Sequence, residues 1–283
     1  MTLGSFFSSG YTRRPEGLVG HLLTAYGAMV ILWSTYAAVF SRLDALVLVT
    51  LFLSFMLVLV FSTIAATSER PSNDGAVIPF YDWCFVVASV ACGLYFAINS
   101  DSIATRITLL DPLTTTDVLF ASLLIGLCLE VCRRTVGLLL TGIVVCFMAY
   151  NLYGHVLPAP FGHGYISYEH FLDIMIFTTD GLFGTPLRVA ATYVLLFVLF
   201  GTFLANAGGG EFFNNLAASV AGARVGGPAK IAVISSGLYG TISGSPTSDV
   251  VTTGSITIPM MKKIGYPATV AGAVEVAAST GGS

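Results

Sequence analysis

The sequence predicts an all-α polytopic membrane protein of about seven transmembrane helices plus one re-entrant helical hairpin. Three observations carry that prediction. Of 283 residues, 55% are hydrophobic and only 10% charged, against roughly 25% charged in soluble domains. Apolar runs recur at the length a bilayer core demands, about 20 residues. Near the C-terminal end, two shorter apolar limbs flank a Gly/Ser/Thr-rich stretch broken by proline, Leu238 to Gly254.

In chain order, the first run spans Gly20–Phe40. Arg13 and Arg14 precede it, but the apolar stretch from Leu18 to Phe40 exceeds the roughly 7–15 residues of a signal-peptide core, so it reads as a retained helix. Ala45–Ala66, Phe80–Ile98, Leu113–Val131, Val136–Tyr153 and Leu187–Ala207 follow, and a seventh run begins near Pro267. The fourth is the weakest, with Asp117 near its start and Glu130 near its end. Between the sixth and seventh lie the limbs Ala229–Ile242 and Val250–Met261. Each is too short to cross at about 1.5 Å per residue, so the pair reads as a hairpin over about 229–261 with its tip at residues 243–248.

Cation placement supports the same topology. With a cytoplasmic N-terminus and a re-entrant hairpin, inner segments hold Arg13, Arg14, Arg70, Arg133, Arg134, Arg224, Lys230, Lys262 and Lys263. Outer segments hold only Arg42, Arg106 and Arg188, nine against three. A hairpin that crossed once would carry Lys262 and Lys263 outside and reduce the tally to seven against five. The positive-inside rule favours the first arrangement.

The outer loop Gly154–Pro186 carries His155, His163 and His170, spaced eight and seven apart, which fits no helical metal-ligand pattern. It reads as a wet loop with a short helix at Phe171–Phe177, or as a docking surface for an extracytoplasmic partner. Glu211–Gly222 sets Phe212, Phe213, Leu216 and Val220 on one face, as an interfacial helix would. Most of the thirty glycines read as helix-packing positions. The five cysteines (84, 92, 128, 132, 146) fall in apolar segments and read as small hydrophobes. No basic run signals nucleic acid. No nucleophile–base pair or phosphate loop signals an enzyme, and no cofactor is expected.

What remains is ion chemistry. A hard cation wants oxygen ligands, which a membrane site draws from unwound carbonyls and hydroxyls. The tip offers Ser243, Gly244, Ser245, Pro246, Thr247 and Ser248. A second Gly/Ser-rich stretch, Ser279, Thr280, Gly281, Gly282 and Ser283, lies about 18 Å past Pro267, near mid-membrane, and reads as a break in the last helix. The alternative is that these hydroxyls simply back-bond to helix carbonyls. Two carboxylates sit at membrane depth. Asp249 either neutralises a bound cation or caps the second limb, and Glu275 either carries a coupling proton or pairs with a neighbouring helix.

The stretch GGPAKIAVISSGLYGTISGSPTSDVVTTGSITIPMMKKIGY, followed by AGAVEVAASTGG, closely resembles the tripartite ATP-independent periplasmic (TRAP) transporter permeases, most nearly the type with small and large membrane subunits fused. DGLFGTP from Asp180 and LFGTFL from Leu199 support the resemblance. It implies a small-subunit-like four-helix region over 1–134 and the beginning of a large-subunit-like transport domain over 135–283. It also implies a Na⁺-driven importer of small organic anions (carboxylates) with elevator-type motion. A periplasmic solute-binding protein would feed it in a bacterial inner membrane. Ser243, Gly244 and Ser245 match the ion-binding tip, and Ser279, Thr280 and Gly281 match the broken helix facing it. Na⁺ would be held by Ser243, Ser245 and Thr280. Asp249 departs from a pattern that is neutral there. The family's second hairpin does not follow, so the chain reads as a fragment. The competing expectations are a non-transporting membrane assembly subunit and a proton-coupled carrier using Glu275.

Overall fold

The computed structural model describes residues 10–13, 15, 17–40, 44–67, 78–158, 160–178, 180–223, 225–244 and 246–282, apart from the side chains at 205, 247 and 248. Arg14, Arg42, Arg70 and Arg224, which entered the charge tally, lie outside the described residues, as do Ser245 and Ser283. The described residues form helices and a single isolated antiparallel bridge, Thr12 to Ile64. Six helical stretches are long and apolar enough to cross a bilayer: Gly17–Phe40, Ala45–Thr63, Phe80–Ile98, Thr115–Thr135, Leu138–Val156 and Thr185–Leu204. Large apolar side chains on them stay uncovered, Leu139 and Phe147 among them, as lipid-facing positions must be. This is a multi-pass all-α membrane protein. Two compact units divide the chain, Met1–Thr192 and Tyr193–Ser283.

In the first unit, α1 (Gly17–Phe40), α2 (Ala45–Thr63) and α3 (Phe80–Ile98) precede the short α4 (Ser100–Ala104). Next come α5 (Thr115–Thr135), α6 (Leu138–Tyr153), α7 (Tyr168–Ile176) and α8 (Thr185–Val189). α2 and α3 make the closest pair, because Gly93 leaves no room for a Cβ against Ser54 and the Ser54 hydroxyl donates to the Ser89 carbonyl at 2.9 Å. Such small-residue contacts replace the hydrophobic drive that lipid removes. Phe61, Phe96, Leu124, Leu127, Phe171, Leu172 and Ile176 fill the core between α2, α3, α5 and α7. Asp117 does not weaken its span. It completes a capping box with Thr114 at the start of α5, satisfying N–H groups that the helix leaves open. The expected short helix at Phe171–Phe177 is α7, begun three residues earlier by the Ser167 hydroxyl, which accepts from the His170 N–H at 3.2 Å.

One end of this unit holds a buried ionic cluster. Asp82 pairs with Arg13 at 2.6 Å and with Arg134 at 2.7 Å, all three side chains being 3% exposed or less. Glu130 binds Arg134 at 2.7 Å and Arg133 at 2.8 Å. The Arg134 guanidinium also lies 5.0 Å from the ring centroid of Phe61 and 5.4 Å from that of Phe85. Residues 10–13 run along the end of α2: the Arg13 N–H donates to the Thr63 carbonyl at 2.7 Å, and the Gly10 N–H to the Arg134 carbonyl at 2.8 Å.

In the second unit, α9 (Leu195–Asn206) leads to α10 (Gly209–Ala221), α11 (Gly227–Ser243), α12 (Pro246–Thr252), α13 (Gly254–Lys263) and α14 (Ala268–Gly282). α11 packs against both α10 and α14 through small residues, Ala217, Ala221, Ala232 and Ala271 being buried. The apolar face foreseen on Glu211–Gly222 points outward: Phe212, Leu216 and Val220 are exposed while the small-residue face meets α11. The first hairpin limb is α11, 17 residues long and extended beyond its expected ends, whereas the second divides at Thr253 into α12 and α13.

One expectation is overturned. A break was foreseen at Ser279–Ser283; over its described part, Ser279–Gly282, α14 stays helical. The Thr280 hydroxyl donates back to the Val276 carbonyl at 2.8 Å. Gly282 serves close packing instead of unwinding: a Cβ there would stand 2.8 Å from the Ser236 carbonyl oxygen on α11. Glycine inside a helix costs about 1 kcal/mol, a cost that intimate helix contact offsets.

Candidate functional site

The hairpin tip begins where α11 ends. Gly244 adopts φ 60°, and its N–H donates to the Gly240 carbonyl at 2.9 Å, the left-handed stop that glycine supplies without a Cβ clash. This turns the chain so that α12 leaves directly from Pro246. Ser243, the last residue of α11, is buried, and its hydroxyl donates to Asp249 Oδ1.

Asp249 is fully buried in the middle of α12. It does not cap that helix, since it lies inside it with its carboxylate directed to Ser243. Its second oxygen, Oδ2, is buried and has no hydrogen-bond partner among the described residues. That oxygen lies against Gly240, where a Cβ would stand 2.8 Å from Oδ2 and 2.8 Å from the carbonyl carbon of Gly282. Only glycine lets the free carboxylate oxygen reach this crossing of α11 and α14. A buried anionic oxygen without a donor costs several kcal/mol unless a proton or a cation meets it.

A second polar cluster lies beside the first. Glu275 on α14 is fully buried, as are Ser236, Thr253, Thr257 and Ser279. Glu275 Oε1 accepts from the Ser236 hydroxyl at 2.8 Å and from the Thr253 hydroxyl at 2.6 Å, and Oε2 accepts from the Thr257 hydroxyl at 2.5 Å. Ser279 lies 3.1 Å from Ser236, oxygen to oxygen. The carboxylate therefore pairs with neighbouring helices through hydroxyls, and both its oxygens are occupied.

The sequence-predicted site residues separate accordingly. Ser243, Gly244 and Pro246 form the tip together with Asp249. Ser279 turns to the Glu275 cluster instead, and Thr280 and Gly281 lie on the exposed face of α14. Of the set Ser243, Ser245 and Thr280 expected to hold Na⁺, Ser243 bonds Asp249 and the Thr280 hydroxyl bonds the Val276 carbonyl of its own helix, while Ser245 and the side chain of Thr247 lie outside the described residues. Sequence reasoning missed Ser236, Thr253, Thr257 and Gly240; the hydroxyls were visible, but nothing local marks which helix they face.

Elsewhere, no group of three or more His, Cys, Asp or Glu side chains suited to a metal ion occurs among the described residues. The loop histidine His163 is held by carbonyls on both sides, Nε2 to Tyr150 at 2.9 Å and Nδ1 to Gly164 at 2.7 Å. Both oxygens accept, so the arrangement favours the doubly protonated ring and raises the His163 pKa.

Residues 123–283, more than half of the chain, match the model of a protein family described as "Tripartite ATP-independent periplasmic transporter, DctM component". No curated protein and no solved structure matches the chain.

Proposed function

The chain belongs to the DctM-component family of tripartite ATP-independent periplasmic transporters, a family of membrane permease components, and from that premise we propose that it couples Na⁺ entry to the import of small organic anions. A periplasmic solute-binding protein would deliver the anion at the outer face of a bacterial inner membrane, with the N-terminus of the chain in the cytoplasm.

One observation carries the ionic part of this reading: the free, buried Oδ2 of Asp249 at the hairpin tip. Na⁺ is a hard cation that oxygen ligands suit, and the tip supplies an anionic oxygen, the Ser243 hydroxyl, and the carbonyls that α11 leaves open at its C-terminal turn. Asp249 and Ser243 would hold the ion, whose positive charge would balance the carboxylate. Ser243 meanwhile fixes Oδ1, which leaves Oδ2 as the oxygen directed at the glycine crossing. An uncompensated Asp249 repels an organic anion, so the approach of the anion depends on that charge being neutralised. Such dependence is what coupling requires. The re-entrant placement of the hairpin follows from the same reading, since bare backbone at membrane depth is tolerated where it lines a site.

Uptake by the complete permease with its binding protein, reconstituted in vesicles, tests this. Asp249→Asn is expected to raise the Na⁺ concentration for half-maximal uptake by about tenfold or more, since losing a hydrogen bond to a charged group is worth about 1.5–3 kcal/mol. Ser243→Ala should move it the same way by less. Unchanged Na⁺ dependence in both variants refutes the site.

A further inference from the structure

Glu275 is not part of the tip, yet it reaches the tip through one hydroxyl. The second hairpin limb divides at Thr253, between α12, which carries Asp249, and α13. The Thr253 hydroxyl is 2.6 Å from Glu275 Oε1 and 2.8 Å from the Asp249 backbone carbonyl. It has one proton to give among these, with the Ser236 hydroxyl also 2.8 Å away. Bonding only to its own helix, it would make an ordinary i−4 back-bond; given to Glu275, it ties the break to α14. Gly254, the next residue, packs so closely that a Cβ would stand 3.0 Å from Glu275 Cγ. Thr257 on α13 and Ser236 on α11 fasten to the same carboxylate. No described cation pairs with Glu275, and every bond it accepts is from a hairpin hydroxyl. At 2.5 and 2.6 Å, two of these have the length of charge-assisted O–H···O⁻ bonds.

We propose that Glu275 is a positioning residue that sets the angle of α12 through Thr253, and so holds Asp249 where its free oxygen meets Gly240 and the end of α14. This rests on the ion site proposed above. A strut that merely held the unit together would need no contact at the break; this carboxylate bonds Thr253 at the break and Thr257 beyond it on α13.

The test uses the complete permease with its binding protein and two near-isosteric variants, Glu275→Gln and Thr253→Val. The glutamine amide can still accept from Ser236 and donate to Thr257, so folding is retained, as a thermal unfolding curve will show, while its neutral oxygen holds Thr253 more weakly than a carboxylate does. Each variant is expected to raise the driving-ion concentration for half-maximal uptake by about threefold or more, the worth of one hydrogen bond, with the maximal rate at saturating ion nearly unchanged. The double variant should shift no further than the larger single one, because both act through one bond. Lowered thermal stability with an unchanged half-saturation makes Glu275 a plain strut and overturns the proposal. Uptake abolished in Glu275→Gln at normal expression makes it a proton carrier and also overturns it. Additive shifts place the two residues on separate routes and overturn it as well. If uptake by the parent protein ignores Na⁺ and follows another cation, the ion assignment falls, and the half-saturation for that cation still decides the role of Glu275.

Discussion

The buried ionic cluster gives a sharp test of what holds the first unit together. Asp82 faces two guanidinium groups, Arg13 and Arg134, in a pocket where all three side chains are 3% exposed or less. Asp82→Asn preserves the shape and removes the charge. Arg134 retains Glu130 and its place between Phe61 and Phe85, but Arg13 loses the only ion-pair partner it has among the described residues. Breaking a buried pair from one side costs about 3–5 kcal/mol, because the stranded charge stays out of water. Arg133→Gln is the control. Its side chain is 16% exposed and its partner Glu130 23%, and Glu130 keeps Arg134, so Arg133→Gln strands no fully buried charge and should cost less than Asp82→Asn. Equilibrium unfolding in mild detergent, titrated with SDS, measures both. Added salt should leave the Asp82→Asn deficit in place, since buried pairs are weakly screened. An Asp82→Asn variant within about 1 kcal/mol of the parent, or one no worse than Arg133→Gln, would refute the claim that this cluster is a structural core.

Two further outcomes are expected. Gly240→Ala would place a methyl 2.8 Å from Asp249 Oδ2 and from the Gly282 carbonyl carbon; the overpacking should cost about 1–3 kcal/mol and weaken the Na⁺ dependence proposed above, whereas Gly272→Ala, with open space around it, should stabilise α14 by up to about 1 kcal/mol. Thermal unfolding of the two variants side by side decides the matter, and equal effects would contradict the close crossing. His163 has its pKa raised by the Tyr150 and Gly164 carbonyls. Its contribution to the order of the loop is therefore fully present below the unfolded value, about 6.5, and is lost as pH rises through the higher folded value. An NMR titration of His163 showing a midpoint at or below 6.5 would contradict that.

Much of the fold was legible because lipid imposes a length. The apolar runs matched observed helices to within a few residues, since each span must satisfy its own backbone. Asp117 looked like a blemish because hydropathy ignores capping, although Thr114 three residues earlier marks the box. The stretch Ser279–Gly282 misled for a different reason. Glycine beside serine marks an unwound segment or a close helix crossing equally well, and only the position of α11 decides between them. Glu275 was half legible. Its depth left open whether it carries a proton or pairs with a neighbouring helix; its partners, Ser236, Thr253 and Thr257, lie 39, 22 and 18 residues away, and no local pattern encodes such a meeting. The pairing of Arg13 with Asp82, 69 residues apart, was invisible for the same reason: charge counting assigned Arg13 a side of the membrane and no partner.

That pairing bears on the order in which the protein can be built. Domains tend to fold from the N-terminus as synthesis proceeds, yet residues 10–13 have nowhere to settle early. Their anchors are the end of α2, Asp82 on α3, and both the carbonyl of Arg134 and, through Asp82, its guanidinium. Until the ribosome has passed residue 134, Asp82 is half neutralised and the first segment lacks part of its seat. Residues 10–13 are locked only once α5 has been made, and the closing of that lock reports that α2, α3 and α5 have met.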